Sequence, residues 1–148
     1  MTGWVTKPDL VEEMTRRLRI IADSGMDGSR LGLWLNEEGK TVFIHLGSGS
    51  GSDLACVIAE NGIDFMRLLG IGYLSLGDAY DLSQPPHYSD EENKTNPNFC
   101  HWIEKTFNTT IPETAAEIIK HPSHFLSDEP QTDPFCRWIN DLGNKEYS

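Results

Sequence analysis

The sequence predicts an α+β fold: a single domain in which a small, mainly antiparallel sheet packs against several helices. Three observations lead there. Apolar residues recur at helical spacing near the N-terminus and again through the second half. Between residues 30 and 59, short apolar runs alternate with turn-forming residues, as in a hairpin. The length, 148 residues with 38% hydrophobic and 24% charged side chains, is that of one domain able to bury its own core. The expected layout across residues 1–148 is an N-terminal helix over about 7–24, a sheet over about 30–59 and a helical second half over about 62–143.

The first helix takes Thr6 as its cap and Pro8 in its first turn. Leu10, Val11, Met14, Leu18 and Ile21 supply its apolar stripe, Arg16, Arg17 and Arg19 suit its C-terminal dipole, and Gly25 stops it. Arg30 to Asn36 and Thr41 to Leu46 form a hairpin about the Asn36-Glu37-Glu38-Gly39-Lys40 turn. After the run Gly47-Ser48-Gly49-Ser50-Gly51-Ser52, Leu54 to Ala59 makes a third strand. Asn61-Gly62 turns into a helix carrying Ile63, Phe65, Met66, Leu68 and Leu69. Residues 75–96, with Pro85 and Pro86, read as a long irregular loop, which in a compact domain is either functional or mobile. Asn96-Pro97, Ile111-Pro112 and Asp133-Pro134 each open a further helix, the last ending at Gly143, for about five in all. Trp34, Trp102 and Trp138 are expected to be largely buried. Phe99-Cys100-His101-Trp102-Ile103 is echoed by Phe135-Cys136-Arg137-Trp138-Ile139, which reads as two short helices that pack alike.

Charge narrows the partners. The formal net charge is −11. Residues 1–74 hold 7 basic and 10 acidic side chains, and residues 75–148 hold 5 and 13. Such a field repels phosphate backbones and acidic lipid, so neither nucleic acid nor membrane is expected, and a basic partner is steered in. No apolar run approaches the roughly 18 residues of a membrane helix. Three cysteines without a C-x-x-C pair, and no secretory pattern at the N-terminus, point to reduced, buried thiols in a cytoplasmic protein.

Motifs for chemistry are sparse. The Gly-Ser run lacks the Lys-Ser/Thr pair of a Walker loop and the last glycine of a dinucleotide fingerprint, leaving a flexible connection whose amides can form an anion nest. His121-Pro122-Ser123-His124 lacks the glutamate and unbroken helix of a zinc peptidase. No catalytic residue, cofactor or metal ligand is therefore assigned. A small hydrolase or transferase using the Gly-Ser loop and the histidines stays open as an alternative, as does a regulatory scaffold.

The order of segments adds a resemblance. A strand ending His45-Leu46-Gly47-Ser48-Gly49-Ser50 precedes Cys56-Val57-Ile58-Ala59 and Asp64-Phe65-Met66-Arg67-Leu68-Leu69-Gly70-Ile71-Gly72-Tyr73. Later come Trp102-Ile103-Glu104-Lys105-Thr106-Phe107, Thr110-Ile111-Pro112-Glu113-Thr114 and Asp133-Pro134-Phe135-Cys136-Arg137-Trp138-Ile139. Over about residues 30–140 this resembles bacterial proteins of the SMI1/KNR4 (SUKH) superfamily and their neighbours in polymorphic-toxin loci. The resemblance implies an α+β fold and an immunity protein: no enzyme, but a binder that occludes the active site of a cognate toxin, often a nuclease. The expected toxin-binding segment runs from Asp78 to Glu92. It holds Asp78, Asp81, Asp90, Glu91 and Glu92 without a lysine or arginine, interleaved with Tyr80, His87 and Tyr88. Acids complement a basic cleft, and tyrosines supply rigid contact area.

Overall fold

A computed structural model describes residues 5–77, 81–86 and 96–148 of the chain. Its centre is a four-stranded antiparallel meander in the order β1 (Leu18–Asp23), β2 (Arg30–Leu35), β3 (Thr41–Leu46), β4 (Ala55–Ala59). The helices are α1 (Pro8–Arg17), α2 (Gly62–Ile71), α3 (Pro97–Phe107) and α4 (Pro134–Tyr147). The fold is therefore α+β, with the sheet between two helical layers.

Strand alternation sorts the core into these layers. Trp34, Val42, Ile44 and Leu46 face α1 and α4, meeting Leu10, Met14, Phe135, Trp138 and Leu142. Cys56 and Ile58 face the other way, toward Leu68 and Ile71 of α2 and Ile118 and Ile119 beyond α3. Phe43 joins this second layer, its ring stacked on Phe65 of α2 at 4.3 Å between centroids. At the heart of the first layer Trp34 lies 5.4 Å from Phe135 and 5.7 Å from Trp138.

Four expectations about element ends and caps are corrected. The first helix does not reach residue 24. It ends at Arg17, and residues 18–23 form a fourth strand, pairing Leu18 with Trp34 and Asp23 with Arg30 across a bulge between Ile20 and Ala22. Ile20 and Ile21 are β-branched, which favours a strand over another turn of helix, and Ile20 pairs with Gly32 of β2. Second, Lys7, not Thr6, is the cap residue, without a side-chain cap bond. Glu146 of α4 accepts from the Thr6 hydroxyl and, at 3.1 Å, from the Lys7 amide, so it does the capping from across the molecule. Third, the segment from Ile111 holds only a 3₁₀ turn, Ala115–Glu117, closed by a Thr114/Glu117 capping box. Fourth, α4 passes through Gly143 to Tyr147.

The echoed motif packs in two ways. In α4, Phe135, Cys136, Trp138 and Ile139 are all buried. In α3 only Ile103 is buried, and Trp102, expected inside, is 49% exposed, stacked beside Phe99 and edge-on to Phe107. α4 packs directly on one face of the sheet, whereas α3 docks on α2, where Gly70 lets Ile103 and Ile111 approach.

Candidate protein-binding face

Two loops and the stretch after α2 meet on one side of the sheet. The β1–β2 loop is drawn tight by Ser24 N–H donating to Ser29 O and Gly28 N–H to Gly25 O. Asp27 at its centre accepts from the Ser29 hydroxyl at 2.8 Å, the Ser29 amide at 3.1 Å and the Ser48 hydroxyl at 2.9 Å. These bonds, the Ser29 hydroxyl first, hold its carboxyl below the usual carboxylate range, so it stays ionised.

Ser48 belongs to the Gly-Ser run, which Asp27 thereby ties to the neighbouring loop. The run's own amides are turned inward. Gly47 N–H donates to Leu54 O, Gly49 N–H to Ser52 O and Gly51 N–H to the Ser48 hydroxyl. A Cβ on Gly47 would fall 2.3 Å from the Ser52 carbonyl oxygen, so only glycine fits that approach. The run is a pinned turn with a carboxylate already beside it.

His45 projects from β3 beneath these loops and is 0% exposed. Its Nδ1 lies 3.2 Å from the Ser24 hydroxyl, and its Nε2 has no hydrogen-bond partner among the described residues. Burial lowers its pKa to about 4, against a weaker opposing pull from Asp27, so the ring is neutral at neutral pH. Gly77 packs against it: a Cβ there would stand 3.6 Å from Nε2.

Beside His45 a cavity of about 460 Å³ opens, walled by Leu31, Phe65, Leu68, Leu69 and Leu74, with Met26 at its rim. Met26 is fully exposed, Leu74 is 71% exposed and Leu69 47%. Ser75 and Leu76 complete the wall just before Gly77. Composition offered no signal for this face: its residues come from five stretches of the chain, 23–26, Leu31, His45, Ile58 and 65–76.

Of the expected toxin-binding residues, Asp81 is exposed, and its carboxylate accepts from the Ser83 amide at 2.8 Å and hydroxyl at 2.6 Å, shaping a tight turn. Asp78, Tyr80, His87, Tyr88, Asp90, Glu91 and Glu92 lie outside the described residues. Residues 81–86 within their segment are well held. Tyr73 Oη donates to Gln84 O at 2.5 Å and accepts from the Ala115 amide at 3.1 Å, and Ala116 N–H donates to Leu82 O.

The remaining polar groups are mostly architectural. His124 Nδ1 sits 2.8 Å from Asp53 Oδ1, and His121 stands apart from it in another cavity wall. Buried Asp133 accepts from the Cys136 amide at 2.9 Å and the Val57 amide at 3.0 Å. Burial raises its carboxyl above the usual range. Among the described residues no helix is long and apolar enough to cross a membrane. No family model, curated protein or solved structure matches the chain.

Proposed function

We infer that this protein is a cytoplasmic immunity protein, which binds a cognate toxin with a basic surface and blocks its active site. The reading rests on the resemblance to the SUKH superfamily together with one structural observation. An open apolar cavity with exposed Met26, Leu69 and Leu74 lies next to Gly77, from which the acidic segment 78–92 departs, in a chain of net charge −11. Exposed apolar groups anchor partners, and surrounding acids steer basic ones. The protein needs no chemistry of its own in this role, only tight burial of the toxin's cleft.

The test is co-expression with the cytotoxic domain encoded by the neighbouring gene. Protection of the cells and co-purification of a stoichiometric complex are expected; cells killed despite folded, abundant protein would end this reading. Replacing Asp90, Glu91 and Glu92 together by Ala, and Tyr80 and Tyr88 by Ala separately, then assigns the share of the acidic segment.

One observation favours the enzymatic alternative. The Asp53–His124 pair orients an imidazole on the rim of a cavity of about 350 Å³ that also holds Ser83 and Lys120. Ser83 donates its hydroxyl to Asp81. Under the immunity reading His124→Ala leaves protection intact, and under the enzymatic one it removes the activity.

A further inference from the structure

We propose that the cavity walled by Leu31, Phe65, Leu69 and Leu74 is the docking pocket for an apolar anchor side chain of the basic partner, one flanked by lysine or arginine. The inference rests on the immunity reading and specifies where the partner attaches.

Its size, about 460 Å³, lies within the roughly 300–1,000 Å³ usual for ligand pockets. Its walls are mostly apolar, with Asp23, Ser24, His45 and Ser75 among them, and three of its apolar groups are left to solvent: Met26, Leu69 and Leu74. Its base is rigid. The Phe43–Phe65 stack fixes α2 on the sheet, and Asp27 ties the β1–β2 loop to the Gly-Ser turn. A rigid pocket loses little entropy on filling, which is what an anchoring site requires.

The charge around it selects the anchor's neighbours. His45 in the wall is neutral at neutral pH, so the floor does not repel a cation. Asp23 lines the rim but is paired with Arg30, which roughly cancels it. Asp27 keeps its charge beside the pocket. Immediately past Ser75, Leu76 and Gly77, the sequence carries five acids and no base through residue 92. A partner seated on the pocket therefore lies against Leu76, two residues before the first of those acids. A partner with apolar groups set in a basic surface gains both contacts, while a neutral or acidic one gains only the first.

The test measures the Kd of the catalytically inactivated toxin domain from the neighbouring gene for the parent and for Leu74→Asp, Met26→Asp and Leu126→Asp. All three positions are exposed, so the substitutions spare the core. Leu74→Asp and Met26→Asp are expected to weaken binding about 30-fold or more, the mark of a hot spot, and Leu126→Asp to change it little. Unchanged binding by folded Leu74→Asp and Met26→Asp overturns the pocket while leaving the immunity reading in place. A second arm needs no toxin. Hexylguanidinium, an apolar tail carrying arginine's head group, is titrated while the methyl resonances of Met26, Leu69 and Leu74 are followed. Saturable shifts at those methyls, lost in Leu74→Asp, are expected, and no shift overturns the pocket. If the parent does not bind the toxin domain, the immunity reading falls and this arm alone decides. Dimerisation of the parent that Leu74→Asp abolishes without weakening toxin binding would assign the pocket to a second copy and overturn the proposal.

Discussion

Arg17 is the side chain on which α1, β2 and α4 converge. Its guanidinium lies 5.4 Å from the Trp34 ring and 5.2 Å from the Trp138 ring, and it donates to Leu35 O at 2.9 Å and to Glu37. A planar cation lying over two neighbouring indoles cannot be replaced by an ammonium without losing the forked donors and part of the ring contact. Arg17→Lys should therefore cost about 1–2 kcal/mol in urea unfolding, and Arg17→Ala at least as much. The sequence alone suggested only a favourable helix dipole for this residue. His45 yields a second expectation. As pH falls through the ordinary histidine value of 6.5, the unfolded chain takes up a proton that the folded one refuses until about 4. Stability should fall across that window by about 3 kcal/mol and be flat with respect to this group above pH 7. Asp133 works in the opposite direction, because its raised carboxyl takes a proton first in the folded state. Denaturation midpoints at pH 4.5 and 7.5 check the balance, and His45→Gln should remove most of the acid loss.

Among the elements, α4 and β4 are joined by a single carboxylate. Asp133 caps α4 through Cys136 N–H and also satisfies Val57 N–H on the outer edge of β4. The adjoining Ala55 N–H donates to Ser123 O, so the 121–133 segment covers an edge that would otherwise invite pairing. Asp133→Ala loses a cap and leaves a buried amide unpaired, an expected cost of about 3 kcal/mol. Asp133→Asn should recover part of that cost, since one amide oxygen cannot serve both donors as well as two carboxylate oxygens do. Thermal melts of the two variants make the comparison. Gly70 of α2 lies against Ile103 of α3 and Ile111 beyond it, where a Cβ would stand 3.4 Å from Ile103 Cδ1 and 2.7 Å from Ile111 Cδ1. Gly70→Ala should cost about 1–3 kcal/mol in the same melts, despite alanine's better helix propensity. The Asp133-Pro134 start of α4 was legible in the sequence because caps and first-turn prolines are local signals. The bond to β4 was not, because it joins residues far apart in the chain.

For the whole molecule, the net charge of −11 governs association more than folding. Under the proposed function, raising NaCl from low to high concentration should slow association with the basic toxin about tenfold or more and change dissociation much less. Stopped-flow mixing across a salt series measures both rates.

The α+β class, three of the four strands and the starts of α2, α3 and α4 were determined by the sequence by itself, because period, turn residues and caps act over a few neighbours. Residues 18–23 were decided by tertiary structure. Leu18 and Ile21 extend a helical stripe, yet the unpaired edge of β2 captures that stretch as β1. The same force separated the two Phe-Cys-x-Trp-Ile helices. Shared motifs carry the same local preference, but α4 meets the face of the sheet and α3 meets mainly α2, so Trp138 is buried and Trp102 is not. The apolar pocket belongs to this second kind as well. Leu31, Phe65, Leu69 and Leu74 are unremarkable on their own strand, helix and loop, and only the packing of α2 across β3 assembles them into one site.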